Sequence, residues 1–242
     1  MSREGDKRQA AFFDVDYTLI SNNSMLLYIK YARKNGVYTA WDMVRGTYKL
    51  ILYQLGLVGL EQAIDEAGET YQGMPVSRLR DLCDAWYEEV VKDYIYPEAL
   101  DLIEDHRRAG HELALLTATT DYLTLPMSRH LKINYFYSNR MEVQDGVLTG
   151  RMIKPLCHGD GKLEYARGFE KETGISLMDS YYYSDSISDL NTMSGFGHPV
   201  AVNPDPKLRR EASARGWKTI DFKKMPAAHE GKRGRKDLVR IK

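Results

Sequence analysis

From residue 112 to residue 222 short β-rich runs alternate with helical stretches, and this rhythm restricts the fold more than any other feature of the chain. Residues 112–119, 135–138, 180–184, 198–202 and 217–222 read as strands. Residues 121–131, 162–173, 188–195 and 206–215 read as helices. Strands separated by helices join through crossovers rather than tight turns, which predicts an α/β fold: a Rossmann-like parallel sheet with helices on both faces. Residues 142–152 break the rhythm as a hairpin, with Asp145-Gly146 as its turn.

The first strand comes much earlier, at residues 10–16, and helical periodicity then runs from about residue 23 to residue 94. Helices are expected at 24–35, 38–57, 60–71 and 76–94, with Gly36 as a C-terminal cap and Pro75 at a helix start. Pro97 opens a further amphipathic helix ending at Gly110. Four helices in succession predict a small bundle inserted into the sheet domain. The expected organisation is a Rossmann-like core of residues 1–22 and 96–222, an inserted helical bundle of residues 23–95, and a basic tail of residues 223–242.

Lys+Arg and Asp+Glu both number 34, so no whole-protein field favours nucleic acid, and none is expected as a partner. Two distant cysteines, Cys83 and Cys157, give no disulfide framework, and the charged start is unlike a signal peptide; a cytoplasmic location is expected. The longest apolar run, residues 50–60, is far short of the ~20 residues that span a bilayer, and it reads as a helix end packed in the inserted bundle, with a membrane-surface contact as the alternative. Lys232, Arg233, Arg235 and Lys236 read as a solvated terminus, with a weak acidic-lipid or RNA contact as the alternative. Nothing in the sequence specifies an oligomeric state.

Four sets of reactive residues fall at or just beyond the carboxyl ends of the expected strands. They are Asp14, Asp16 and Thr18; Thr117 with Ala118, Thr119 and Thr120; Lys162 in a glycine-rich helix start; and Asp185 with Asp189. Parallel strands gather such ends on one rim, where open α/β sheets keep their ligands. Four carboxylates in one crevice repel one another unless a cation is present, and hard oxygen ligands suit Mg²⁺. A lysine and a hydroxyl beside that ion make a receptor for a phosphoryl group. One ionised carboxylate can attack phosphorus, and a second can move the proton.

On these motifs, in this order over residues 10–222, the chain resembles the haloacid dehalogenase superfamily of phosphohydrolases, in its phosphoserine-phosphatase-like branch (subfamily IB). The resemblance implies Asp14 as nucleophile and Asp16 as general acid/base. Thr117, followed by Ala118, would hold the phosphoryl group, and Lys162 would steady nucleophile and phosphate. Asp14, the Asp16 main-chain carbonyl and Asp185 would ligate Mg²⁺, with Asp189 supporting them from behind. The implied activity is phosphomonoester hydrolysis through an aspartyl phosphate.

Simpler roles compete at several positions. Thr119 rivals Thr117, Lys154 rivals Lys162, and Asp189 also suits a helix cap. His158 reads as a loop residue, Cys157 lacks a base for thiol chemistry, and Ser186 and Asn191 are candidate rim donors. Asp16 argues against a dehalogenase, which needs no acid for a leaving oxygen. A phosphotransferase, a lipid-phosphate phosphatase and a non-catalytic metal-binding module are the alternatives. By this resemblance the inserted bundle of residues 23–95 is a helical cap, where substrate choice is expected; it offers Arg33, Arg45, Arg80, Asp65, Glu66, Glu69, Trp41 and Tyr48. The expected substrate is a small phosphorylated metabolite such as phosphoserine, histidinol phosphate or a similar amino-alcohol phosphate.

Overall fold

Residues 8–39 and 68–223 are those described by the structure, a computed structural model. Eight strands are present among them: β1 (Ala10–Phe13), β2 (Glu112–Thr120), β3 (Tyr135–Asn139), β4 (Met141–Gln144), β5 (Val147–Met152), β6 (Tyr181–Ser184), β7 (His198–Val202) and β8 (Lys218–Ile220). Six form one sheet in the order β3-β2-β1-β6-β7-β8, and every pairing in it is parallel. The chain builds outward from β1 on one side through β2 and β3, then returns to β1 and builds outward on the other. A topological switch point therefore lies between β1 and β6, where such sheets open a crevice at their carboxyl ends.

Strand periodicity sorts the apolar side chains into two cores. Ala11 and Phe13 of β1 enter one, with Leu113, Leu115, Tyr183, Val200 and Val202. Ala10 and Phe12 enter the other, with Ala114, Leu116, Tyr182 and Ala201. The helices divide the same way. Ser24–Lys34, Val76–Glu89, Pro97–Arg108 and Asp121–Leu131 supply Leu27, Trp86, Ile103 and Met127 to the first core. Asp160–Thr173, Leu190–Ser194 and Pro206–Arg215 supply Phe169, Met193 and Leu208 to the second. The expected parallel sheet with helices on both faces is what the chain forms.

Element bounds differ from the sequence reading where side chains claim the backbone. The helix expected over 76–94 stops at Glu89, because Val90 leaves helical geometry (φ −131°), and Val91–Tyr94 continues as a 3₁₀ turn that buries Val91 and Tyr94. The helix expected over 188–195 opens as a 3₁₀ turn, Ile187–Asp189, because the Ser186 side chain accepts from Ser188 N–H. The last strand shortens to Lys218–Ile220, and Phe222 N–H donates to the Asn203 side chain instead of to a ladder. Of the expected cap helices, 38–57 falls almost wholly outside the described residues. From 60–71, Glu69–Tyr71 is a 3₁₀ turn. The apolar run 50–60 and nearly all of the basic tail also lie outside them.

The expected hairpin is β4–β5, turned by Asp145 (φ 50°) and Gly146 (φ 78°), the positive pair that a two-residue type I′ turn requires. It docks on the segment before the Val76–Glu89 helix. Gly73 N–H donates to Leu148 O at 2.8 Å, Leu148 N–H to Met74 O at 2.9 Å, and Val76 N–H to Gly146 O at 3.1 Å. Among the described residues no helix is long and apolar enough to cross a membrane.

Phe12 is fully buried, with edge-to-face contacts to Phe169 at 5.0 Å and Phe196 at 5.1 Å. Phe12→Ala is expected to lower the unfolding free energy by about 3–5 kcal/mol, measured by urea denaturation. A loss below about 1 kcal/mol would contradict this packing.

Candidate active site

The rim is organised around Lys162. Its helix, Asp160–Thr173, starts so close to the preceding loop that a Cβ on Gly161 would lie 2.0 Å from Leu156 O. Glycine is needed there for the helix start to pass. Lys162 is 2% exposed, and its Nζ lies 2.7 Å from Asp189 Oδ2, 3.1 Å from Asp14 Oδ1 and 3.1 Å from the Tyr182 hydroxyl. Burial works against its charge, but Asp14 and Asp189 more than offset that and hold its pKa above the ordinary lysine value.

Asp189 is as deeply buried. Burial would raise its pKa, yet Lys162 together with hydroxyls from Tyr182 (2.6 Å) and Ser184 (2.8 Å), all on Oδ2, keeps it below the ordinary range. It stands at the N-cap position of the Leu190–Ser194 helix but makes no side-chain cap bond, so its carboxylate serves Lys162 instead.

Asp14 leaves β1 with its N–H on Tyr183 O at 2.9 Å, which sets it beside the end of β6. Its Oδ1 accepts from Val15 N–H at 2.8 Å and faces Lys162; both contacts fall on that one oxygen. Burial, followed by the charges of Asp189 and Asp16, pushes its pKa up to about 7 against the pull of Lys162. Asp16 turns toward the helix Ser24–Lys34: Oδ1 accepts from Ser24 N–H and Oδ2 from the Asn23 side chain, each at 2.9 Å. That is the positive end of the helix, which suits a carboxylate. Burial nonetheless raises the Asp16 pKa.

Asp185 directly follows β6, and burial, then the Asp14 charge, pushes its pKa up to about 8. Thr117 is 1% exposed in β2 and its hydroxyl accepts from Thr119 N–H at 3.2 Å. Thr119 instead lies 3.4 Å from the Ser24 hydroxyl. Ala118 is exposed, and its carbonyl accepts from the Asn139 side chain at 2.6 Å. Thr18 is buried, and its hydroxyl has no hydrogen-bond partner.

Asp14, Lys162 and Asp189 are thus in direct contact, Asp185 adjoins Asp14 electrostatically, and Asp16 is held by the start of the Ser24–Lys34 helix. Ser186 bonds Ser188, and Asn191 bonds Asp160 at 2.9 Å. Burial pushes the Cys157 thiol up to about 12, which leaves it inert, and burial then Lys162 lower the His158 pKa. Arg33, Glu69 and Arg80 are exposed; Arg45, Asp65, Glu66, Trp41 and Tyr48 lie outside the described residues. Sequence reasoning missed Tyr182, Ser184, Asn23 and Asn139. Tyr182 and Ser184 share a strand face by their spacing of two, the one signal that could have revealed the pair.

Four carboxylates share this crevice with one ammonium, and three of them sit above the ordinary carboxylate range. Such hard oxygen donors fit Mg²⁺, and Asp14, Asp185 and the Asp16 carbonyl could hold it. Among the described residues no three His, Cys, Asp or Glu side chains form a metal cage. Mg²⁺ does not need one, because it keeps several waters and usually takes one or two carboxylates plus phosphate oxygens.

The model of the haloacid dehalogenase-like hydrolases matches residues 11–194. The phosphoserine phosphatase SerB1 of Mycobacterium tuberculosis is 32% identical over 224 residues, covering 90% of this chain and 72% of that protein. A histidinol-phosphatase of Neisseria meningitidis is 27% identical over 226 residues, covering 89% of this chain and 100% of that protein. The crystal structure of a protein of unknown function from Bordetella pertussis Tohama I matches with a TM-score of 0.84 at 28% identity, covering 90% of this chain and all of the other.

In chelator, Asp14 and Asp185 bind protons in the folded state up to about 7 and about 8, against 3.8 for an ordinary aspartate. Their contribution to stability is full below the ordinary value and is lost as pH rises through the folded ones. His106, pushed down to about 4 by burial, is already neutral in this window. The melting temperature is expected to fall between about pH 6.5 and about pH 8.5. Asp185→Asn should flatten the fall in scanning calorimetry, and a wild-type melting temperature that rose across the window would contradict these shifts.

Proposed function

We propose that this chain, which belongs to the haloacid dehalogenase-like hydrolase family, is a Mg²⁺-dependent phosphatase working through an aspartyl phosphate on a small phosphomonoester. The observation that carries the reading is the buried row Asp14–Lys162–Asp189 at the sheet's switch point. Lys162 fixes Asp14 through Oδ1 and tempers its charge, so that a phosphate dianion can approach. Oδ2, which carries neither of the contacts on Oδ1, attacks phosphorus as the ester P–O bond breaks. Asp16 gives its proton to the departing alkoxide, then takes one from the water that cleaves the aspartyl phosphate. Its raised pKa supports a carboxyl able to carry that proton.

The Thr117 hydroxyl and the Ala118 N–H are the proposed donors to the phosphoryl oxygens. Asp14, Asp185 and the Asp16 carbonyl would hold Mg²⁺, whose charge, when bound, offsets that of the phosphate. Residues 23–95 form the proposed cap that closes over the rim and excludes water. The bond between Asp16 and the start of the Ser24–Lys34 helix supports that arrangement. The names of the two relatives favour an amino-alcohol phosphate, phosphoserine or histidinol phosphate, as substrate. Two buried free thiols, Cys83 and Cys157, agree with a reducing cytoplasm.

Phosphate release is expected from phosphoserine, histidinol phosphate or phosphoethanolamine with Mg²⁺ and not with chelator. Asp14→Asn should lower kcat by about 10³-fold or more, the scale of loss when a covalent nucleophile is removed. Activity confined to sugar phosphates or nucleotides would sink the substrate class. No release from a broad phosphoester panel would leave the metal-binding module as the better reading, and transfer to an added alcohol in preference to water would mark a phosphotransferase.

A further inference from the structure

The loops that carry Asp16 and Asp185 are tied together by residues that approach neither reacting atom. Tyr17, just after Asp16, holds φ at 54°, and Asn203, just after β7, holds φ at 43°. Both lie in the left-handed region that non-glycine residues seldom occupy, and a bulky tyrosine especially seldom. The two meet: Asn203 Nδ2 donates to Tyr17 O at 3.3 Å. The rest of Asn203 is anchored on the sheet edge, since its N–H donates to Ile220 O at 2.8 Å and its Oδ1 accepts from Phe222 N–H at 2.8 Å.

Two residues on, Asp205 grips the Asp185 loop from both ends. Its N–H donates to Asp185 O at 2.8 Å, and its Oδ2 accepts from Ile187 N–H at 2.7 Å. Its Oδ1 accepts from Lys207 and Leu208 N–H at 2.8 and 2.9 Å, which anchors the carboxylate to the start of the Pro206–Arg215 helix. Residues 203–205 therefore clamp two separate loops. One presents the Asp16 carbonyl and the other the Asp185 side chain, and the clamp sets their separation.

We propose that Asn203 and Asp205 are positioning residues for the Mg²⁺ site, fixing the spacing between the Asp16 carbonyl and the Asp185 carboxylate. The proposal rests on the phosphatase reading for the identity of the ion. Small displacements of oxygen ligands weigh heavily on Mg²⁺, which demands near-octahedral geometry at short distances. Groups that orient ligands from behind typically change metal affinity by about 10–100-fold.

The test is calorimetric titration of the full chain with Mg²⁺ alone, alongside metal-free melting temperatures. Asn203→Gly keeps the left-handed backbone accessible and removes only the amide. Asp205→Asn keeps an oxygen for the helix cap and weakens the charge-assisted grip on Ile187. Each is expected to raise the Mg²⁺ Kd about tenfold. The comparison variant Arg209→Gln breaks the Arg209–Asp221 pair on the same helix, at 2.6 and 3.1 Å, and should leave the Kd within about twofold of wild type whatever it does to melting. Unchanged affinity in both clamp variants, or an equal loss in Arg209→Gln, would overturn the proposal while wild-type binding left intact the Mg²⁺ site that the phosphatase reading requires. Wild-type protein that binds no Mg²⁺ would overturn both.

Discussion

A buried ammonium held between two buried carboxylates is the constraint around which the rest of this molecule is arranged. Lys162, Asp14 and Asp189 could not be taken from water singly without large desolvation penalties, and removing Lys162 would strand both carboxylates. Every element near them meets a requirement of that row. The Asp160–Thr173 helix must begin tight against the Leu156 carbonyl to deliver Lys162, and β6 must turn Tyr182 and Ser184 to the face where Asp189 needs hydroxyls. Phe169 of the same helix as Lys162 packs edge-to-face on Phe12 of β1 at 5.0 Å, which holds that helix against the sheet.

The sheet order explains why residues so distant in sequence share one crevice. β1 lies between β2 and β6, so Asp14 exits beside Thr117 on one side and Asp185 on the other. The ladder bond from Asp14 N–H to Tyr183 O extends that adjacency one residue beyond the strand and sets the register of the two acids. Geometry at a strand end is more precise than on a free loop, because the backbone there is fixed by the sheet.

The parts legible in the sequence were those governed by local rules. The unbroken apolar run Ala10, Ala11, Phe12 and Phe13 announces a strand buried on both faces, and Asp145-Gly146 announces its own turn. Carboxylates at strand ends announce a polar rim. Partners chosen by tertiary contact were not legible: Asn139 reaching Ala118, Asn23 reaching Asp16, and Tyr182, which reads as one more apolar strand residue until its hydroxyl is seen on Asp189. The stop at Glu89 was hidden for a similar reason, since the helical pattern continues while the burial of Val91 and Tyr94 redirects the backbone.

The β4–β5 hairpin has a mechanical consequence. Its base continues from β3 through Asn139, whose side chain also holds Ala118 O and accepts from Cys157 N–H; its tip is bonded to Gly73, Met74 and Val76. A rigid displacement of that segment must either carry the hairpin along or break its backbone bonds. The hairpin is therefore a strut of fixed length between the edge strand β3 and the helical segment it props, so that the position of that segment is referred to the sheet rather than to a free loop.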